Sequence, residues 1–393
     1  MKLFRRNPVL LLLSASAVAM TLLTGRAEKD GDAASPAVQT TPLPTANPTL
    51  QGTVTLGAVI PMTGTNATVG KDLQRGIELA VAEINARNGV LGRKLVVEVE
   101  DSQGQTTATI SAARKLVTVS RVPLVLGEYA SGNTIPLQQY LQQSGVVGIN
   151  VGSSSIELRQ TGELQFSAIG LDDKVGEFSA NTLYDRGFRS IAILAPNNAY
   201  GSGIAESVAN VFAARGGTVA VSSLYTEGQP DYRAELTRLQ NAEPDAYVVT
   251  TYGKDGATIN AEMFQLGLTG KPVFDIYMSQ DVPDSDATAV EGRTGMDVQA
   301  AVGGSVYGTY YQQTYGETLI TSFSGFTYDA VHLAALAIEK AGAPDASKIA
   351  AAIPEVAASY QGVTGPLAVG PDGQRLLQPY ALGTVKDGKI EFR

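Results

Sequence analysis

The chain has 393 residues, with 29 Lys and Arg against 38 Asp and Glu, a single His, and neither Cys nor Trp, for a formal charge of −9. Without Cys there are no disulfides, thiolate metal sites or thiol nucleophiles, and an acidic chain with scattered basic residues carries no footprint for nucleic acid. One His leaves little material for a His-ligated metal or a His-dependent hydrolase.

In chain order, Lys2, Arg5 and Arg6 precede an apolar run over 9–23. The run falls short of the roughly 20 residues of a spanning helix, so 1–27 reads as an export signal. Leu23-Thr24-Gly25-Arg26 looks like a lipoprotein box with Arg in place of its Cys. The expected location is therefore exported, periplasmic or cell-surface, with membrane tethering left open. Residues 28–51, rich in Ala, Pro, Thr, Asp and Ser, lack apolar periodicity and are expected to form a disordered tether.

About 340 residues remain, more than one ordinary core holds, which points to two lobes. A β-branched run at 54–60 leads through a polar turn into Leu73, Ile77, Ala80, Val81 and Ile84 at helical spacing. Asn88-Gly89 stops that pattern, and a second strand follows at 94–100. This is a β-α-β unit, whose first loop opens at the carboxyl end of a parallel sheet, where such sheets bind ligands. The alternation continues with helices at 106–120 and 133–143 and strands at 123–126 and 146–149. A second series has helices at 175–184, 203–214, 232–239 and 256–266, and strands at 190–194, 218–225, 246–251 and 273–278. An amphipathic helix at 328–341 and a closing turn and hairpin (362–374, 380–385, 389–392) complete the chain. The fold class is α/β, two doubly wound lobes around a ligand cleft. The first lobe takes 52–170 plus about 300–365, the second 171–299 plus about 366–393.

No catalytic constellation is present. Gly201-Ser202-Gly203 is followed by Glu206 where a dinucleotide fingerprint needs its third Gly. No nucleophile elbow or phosphate loop occurs. His332 lies in an apolar helical run and reads as structural. Asp281, Asp284 and Asp286 lack calcium-loop order and read as a solvated acidic loop. No metal and no cofactor is expected.

Four segments carry a resemblance. They are GAVIPMTGTNATVGKDLQRGIELAVAEINARNGVLGRKLVVEVEDSQ, GFRSIAILAPNNAYGSGIAESVANVFAARGG, FTYDAVHLAALAIEKAG and YQGVTGPLAVGPDGQR, in this order. Together the chain resembles the branched-chain amino-acid (Leu/Ile/Val) binding proteins of ABC importers, the type I periplasmic binding proteins. The resemblance implies a monomeric receptor that closes on an amino acid or similar small carboxylate and presents it to a membrane permease. A ligand sensor of the same fold, for an amide, urea or aromatic acid, signalling to a protein partner, is the alternative. Hinges are expected near Gly170, Ala300 and Gly365.

Ser131 and Ser154 fall where the family holds the ligand carboxylate, with Gly152 and Ser153 as backbone neighbours. Tyr200 and Tyr252 fall on ligand-contacting tyrosines, and Tyr129 forms part of the wall. Val69 stands where the family often has an aromatic ring. Tyr277 occupies the place of the acid that pairs with the ligand ammonium, so Asp172, Asp275 or Asp281 serves instead, or the ligand has no ammonium. The segment 281–324, with Tyr307, Tyr310, Tyr311 and Tyr315, departs from the family pattern.

Overall fold

The computed structural model describes residues 41–298 and 305–392. The expected leader, the lipoprotein-like box and the first part of the tether lie outside them, as does the hinge expected near Ala300.

The first sheet is built from β1 (Thr53–Ile60), β2 (Lys94–Asp101), β3 (Leu124–Gly127), β4 (Val147–Asn150) and β5 (Gln165–Ser167). Helices α1 (Ala67–Ala86), α2 (Thr106–Lys115) and α3 (Ser131–Gln143) connect its strands. Its order is β2-β1-β3-β4-β5 with every pair parallel. The second run comprises α4 (Asp172–Asp185), β6 (Ser190–Pro196), α5 (Ala199–Ala214), β7 (Thr218–Tyr225) and α6 (Arg233–Asn241). It continues with β8 (Ala246–Val249), α7 (Gly253–Gln265), β9 (Val273–Ile276), the short α8 (Ala287–Val290) and β10 (Thr294–Val298). These strands run β7-β6-β8-β9-β10, all parallel, so the wiring of the first sheet is repeated. The C-terminal hairpin, β13 (Tyr380–Lys386) and β14 (Lys389–Phe392), adds antiparallel to β10. The central strands β1, β3, β4, β6, β8 and β9 are buried and mostly apolar, as parallel sheets covered on both faces require, whereas the edge strands β2 and β7 are partly exposed.

Between β10 and the hairpin the chain returns to the first sheet. Helices α9 (Val306–Tyr315), α10 (Ser324–Ala341) and α11 (Ala346–Ala357) follow, with a two-residue pairing of β11 (Gln361–Gly362) and β12 (Gly365–Pro366). Helix α10 packs along α1, and Thr327 Oγ1 donates to Leu73 O at 2.7 Å. In the divergent segment, Tyr311 OH donates to buried Asp72 (2.7 Å), and the Arg75 guanidinium lies 4.4 Å from the Tyr315 ring centre. The tyrosine cluster therefore fastens this segment onto α1.

Three expectations need correction. The tether expected to run free to Gln51 is already held at Asn47. There Asn47 N donates to Asn85 O (2.7 Å) and Nδ2 to Arg87 O (2.8 Å), meeting carbonyls at the end of α1. The crossing expected near Gly365 lies further along. Ser167 N donates to Gly373 O, Ser167 Oγ to Gln374 Oε1 (2.6 Å) and Arg375 Nη1 to Ala168 O (2.7 Å), so 373–375 still run beside β5. The chain passes to the second sheet only at 376–379. Third, Asp281 is no solvated loop residue: it is 3% exposed, accepting from Thr251 Oγ1 (2.7 Å) and Asn260 Nδ2 (2.9 Å). Partners from two other elements draw it inside. Asp284 instead accepts from Thr68 Oγ1 on α1 (2.8 Å), joining the lobes, and Asp286 caps α8.

Candidate functional site

In each sheet the strand order reverses beside the first strand of the run, at β1/β3 and at β6/β8. The loops at the carboxyl ends there form the crevice where doubly wound sheets bind ligands. These loops face each other across the cleft.

On the first side, β3 delivers Glu128, Tyr129 and Ala130 and then the start of α3 at Ser131. No side chain caps α3; Asn133 N is taken up by Ala130 O (2.9 Å), which leaves the Ser131 and Gly132 N–H groups and the positive dipole end for a ligand. β4 delivers Asn150, whose carboxamide folds the next turn. Its Oδ1 accepts from Gly152 N (3.2 Å) and Ser153 N (2.8 Å), and its Nδ2 donates to Ser153 O (2.6 Å). This corrects the expectation that the Gly152 and Ser153 N–H groups face a ligand, since the Asx-type turn consumes both. The turn places Ser153 Oγ against Ser131 Oγ at 2.7 Å, and Ser154 O accepts from Asp172 N at 2.7 Å. Gly152 must lack a side chain because a Cβ there would stand 2.8 Å from Tyr129 Cα. Glu128, which sequence reasoning missed, braces the loop: its carboxylate accepts from Ser102 Oγ (2.6 Å) and Ala130 N (2.7 Å). Burial pushes its carboxyl up to about 7 against those hydrogen bonds.

On the second side, Tyr200 sits in the first turn of α5 with its OH on Thr250 Oγ1 (2.5 Å). Tyr252 stacks on it, ring centres 5.4 Å apart and planes 29° from parallel. Tyr252 also meets Tyr129 of the other lobe edge-on at 5.7 Å, so the cleft is bridged by aromatic rings. Phe323, also missed, lies between Tyr129 (5.2 Å) and Tyr277 (5.7 Å). Tyr277 holds φ 61° and ψ 63°, the left-handed region that costs an ordinary side chain. Val69 is buried within the first-lobe core.

Three acids compete for the role of ammonium partner, and the geometry separates them. Asp275 is engaged by Arg293 (3.3 Å), which also donates to Asn260 Oδ1 (2.6 Å). Asp281 belongs to the same buried network through Asn260. Asp172, fully buried in the first turn of α4, has no hydrogen-bond partner on either carboxylate oxygen. Burial pushes its carboxyl well above the carboxylate range, opposed by the nearby Ser154 hydroxyl and reinforced by Asp173. One oxygen lies against Gly203 of α5, where a Cβ would stand 2.6 Å from it. The geometry thus brings Ser131, Ser153, Ser154 and Asp172 to one end of the cleft, with Tyr129, Tyr200, Tyr252 and Tyr277 as its walls. His332 is remote, on α10 beside Glu83 (3.6 Å). Among the described residues no cluster suits a metal ion, and no helix is long and apolar enough to cross a membrane.

Two repeated α/β lobes closing on a buried polar crevice define a solute receptor, and sequence comparison agrees: the chain belongs to the periplasmic binding protein family, whose profile matches residues 53–389. It is 27% identical over 359 residues to the Leu/Ile/Val-binding protein BraC3 of Rhizobium johnstonii, covering 87% of this chain and 94% of that protein. Its fold is similar to that of the branched-chain amino-acid transporter substrate-binding protein LivJ of Streptococcus pneumoniae, solved with isoleucine. That match has a TM-score of 0.78 at 24% identity and covers 87% of this chain and 99% of that one. A solute-binding protein of an R. palustris ABC transporter, solved with benzoate, gives a TM-score of 0.78 at 18% identity over 87% and 95%. The protein is therefore a solute-binding protein of the ABC-transporter type, and such proteins work by binding rather than by chemistry.

Proposed function

We propose that this protein is the extracytoplasmic receptor of an amino-acid importer, gripping the α-carboxylate and α-ammonium of its solute between the lobes and presenting the closed form to a membrane permease. The observation that carries this reading is the Asp172 carboxylate, buried, unpartnered and tied through its own N–H to Ser154 O. A buried carboxylate without a partner is costly, and a ligand ammonium supplies the missing charge and donors. Ser131 and Ser154, with the uncapped first turn of α3, supply donors for the carboxylate beside it. No bond is made or broken; binding shifts the population from open to closed, and the permease reads the closed form.

An aromatic carboxylate, the class of solute held by the R. palustris protein, is favoured by the ring-lined walls but leaves Asp172 without a partner. Calorimetry of matched pairs decides between them, each α-amino acid against its deaminated acid. Binding that requires the ammonium supports the amino-acid reading; equal binding of both members, or preference for benzoate, overturns it.

A further inference from the structure

Beyond the head-group residues, the hinge end of the cleft carries polar groups that the fold leaves unsatisfied. Tyr277 OH, Tyr380 OH and Gln378 Nε2 are all buried without a hydrogen-bond partner. They belong to one wall. Gln378 Oε1 is occupied, accepting from Gly170 N at 2.6 Å, which turns its Nε2 away from the backbone. Gly170 lacks a side chain, and a Cβ there would stand 3.1 Å from Tyr380 OH. The Tyr380 ring packs 5.2 Å from Phe178 of α4, the helix that begins at Asp172. Burial raises the ionisation of both phenols and Asp172 raises both further, while Gln378 beside Tyr277 and Tyr277 beside Tyr380 act in the opposite sense, so these side chains and Asp172 are neighbours.

Three neutral donors in a row are a poor wall for an aliphatic side chain, because each buried donor left unmade is penalised in the complex. The cation beside this wall among the described residues, Arg375, is spent on the carbonyls of Ala168, Thr364, Pro366 and Leu377 and on Thr364 Oγ1. A side-chain carboxylate would therefore meet Asp172 without a free cation from Arg375 to offset it.

We infer that Tyr277, Gln378 and Tyr380 form a side-chain subsite for a neutral hydrogen-bonding group, so that the solute is an α-amino acid bearing a carboxamide or hydroxyl rather than a branched aliphatic chain. This rests on the head-group reading above, in which Ser131, Ser154 and Asp172 fix the α-carbon next to this wall.

The test uses near-isosteric pairs on the mature protein by isothermal titration calorimetry: asparagine against leucine, and threonine against valine. The polar member of each pair binds about 10-fold or more tightly, since a site built to hydrogen-bond its ligand rejects the apolar isostere. In Tyr277→Phe and Tyr380→Phe the ratio within each pair falls towards one, a readout that a general loss of affinity does not move. Leucine and valine binding as tightly as, or more tightly than, their isosteres overturns the subsite while leaving the head-group reading intact. A panel in which no α-amino acid binds, while a deaminated acid does, overturns the head-group reading and the subsite with it.

Discussion

Replacing Asp172 by Asn separates a binding carboxylate from a structural one, because its two effects carry opposite signs. The carboxamide has nearly the same shape, so packing against Gly203 and the Asp172 N to Ser154 O bond persist. Both carboxylate oxygens are buried and unpaired by protein groups, and burial holds the carboxyl well above its ordinary range. A raised folded-state value means the folded chain binds the proton more tightly, so stability falls as pH rises between the unfolded and folded values. Asp172→Asn abolishes this dependence and is expected to raise the melting temperature of the ligand-free protein at pH 8. For an amino-acid ligand the same change removes the partner of a buried ammonium, at a cost of about 2–5 kcal/mol, roughly 30- to several thousand-fold in dissociation constant. The wild type should also release protons on binding where empty Asp172 is protonated and the ammonium ionises it. Calorimetry in two buffers of different ionisation enthalpy reads this directly, and the release should vanish in Asp172→Asn. If affinity and proton release are unchanged in the variant, Asp172 is not the ammonium partner.

Ser131→Ala removes a donor to the charged carboxylate and leaves Ser153 Oγ without its acceptor, and should cost about 1.5–3 kcal/mol, about 10- to 150-fold in titrated affinity. Gly152→Ala forces a Cβ against the Tyr129 backbone and should lower stability by about 1–3 kcal/mol in chemical denaturation, with weaker binding from the displaced ring. Glu128, raised by burial from 4.5 to about 7, contributes a loss of about 3 kcal/mol of stability as pH climbs through that window, so melting should be higher at pH 5.5 than at pH 8, with the slope reduced in Glu128→Gln. Solution scattering should show a smaller radius of gyration with saturating ligand than without, and an unchanged radius would count against hinge closure.

The β-α alternation was legible because apolar periodicity switches between 2 and 3.6 along the chain, as at β1, α1 and β2. Helix starts were less so. Helix α5 begins at Ala199 rather than 203 because Asn198 Oδ1 caps Gly201 N, while the glycines there resemble a turn. At the site, Ser131, Ser154, Tyr200 and Tyr252 could be singled out by their place after strands and by family resemblance. Phe323, Gln378 and Tyr380 could not, because each acquires its role from residues far away in sequence, and Glu128 could not because its burial and its bond to Ser102 come from the fold. Gln378 meets Gly170 across 208 positions. Asp281 misled for the same reason: its neighbours Asp284 and Asp286 suggest solvent, whereas Thr251 and Asn260 reach it from another strand end and helix.

The stitching of the C-terminal stretch to β5 has a mechanical consequence. Arg375 grips Ala168 O and Gln378 grips Gly170 N, so two of the passages between lobes are pinned together as one pivot. Near a pivot the lever arm is short. Under the proposed hinge closure Gln378, Tyr380 and Asp172 would therefore move little and would stand ready in the open receptor to meet an arriving solute. Tyr252 and the Thr68–Asp284 contact lie where the two lobes meet across the opening, so under the proposed closure they would form only at the end of the swing. Capture and retention are thus assigned to different residues: changes at the pivot should alter the association rate, and changes at the Thr68–Asp284 contact the residence time.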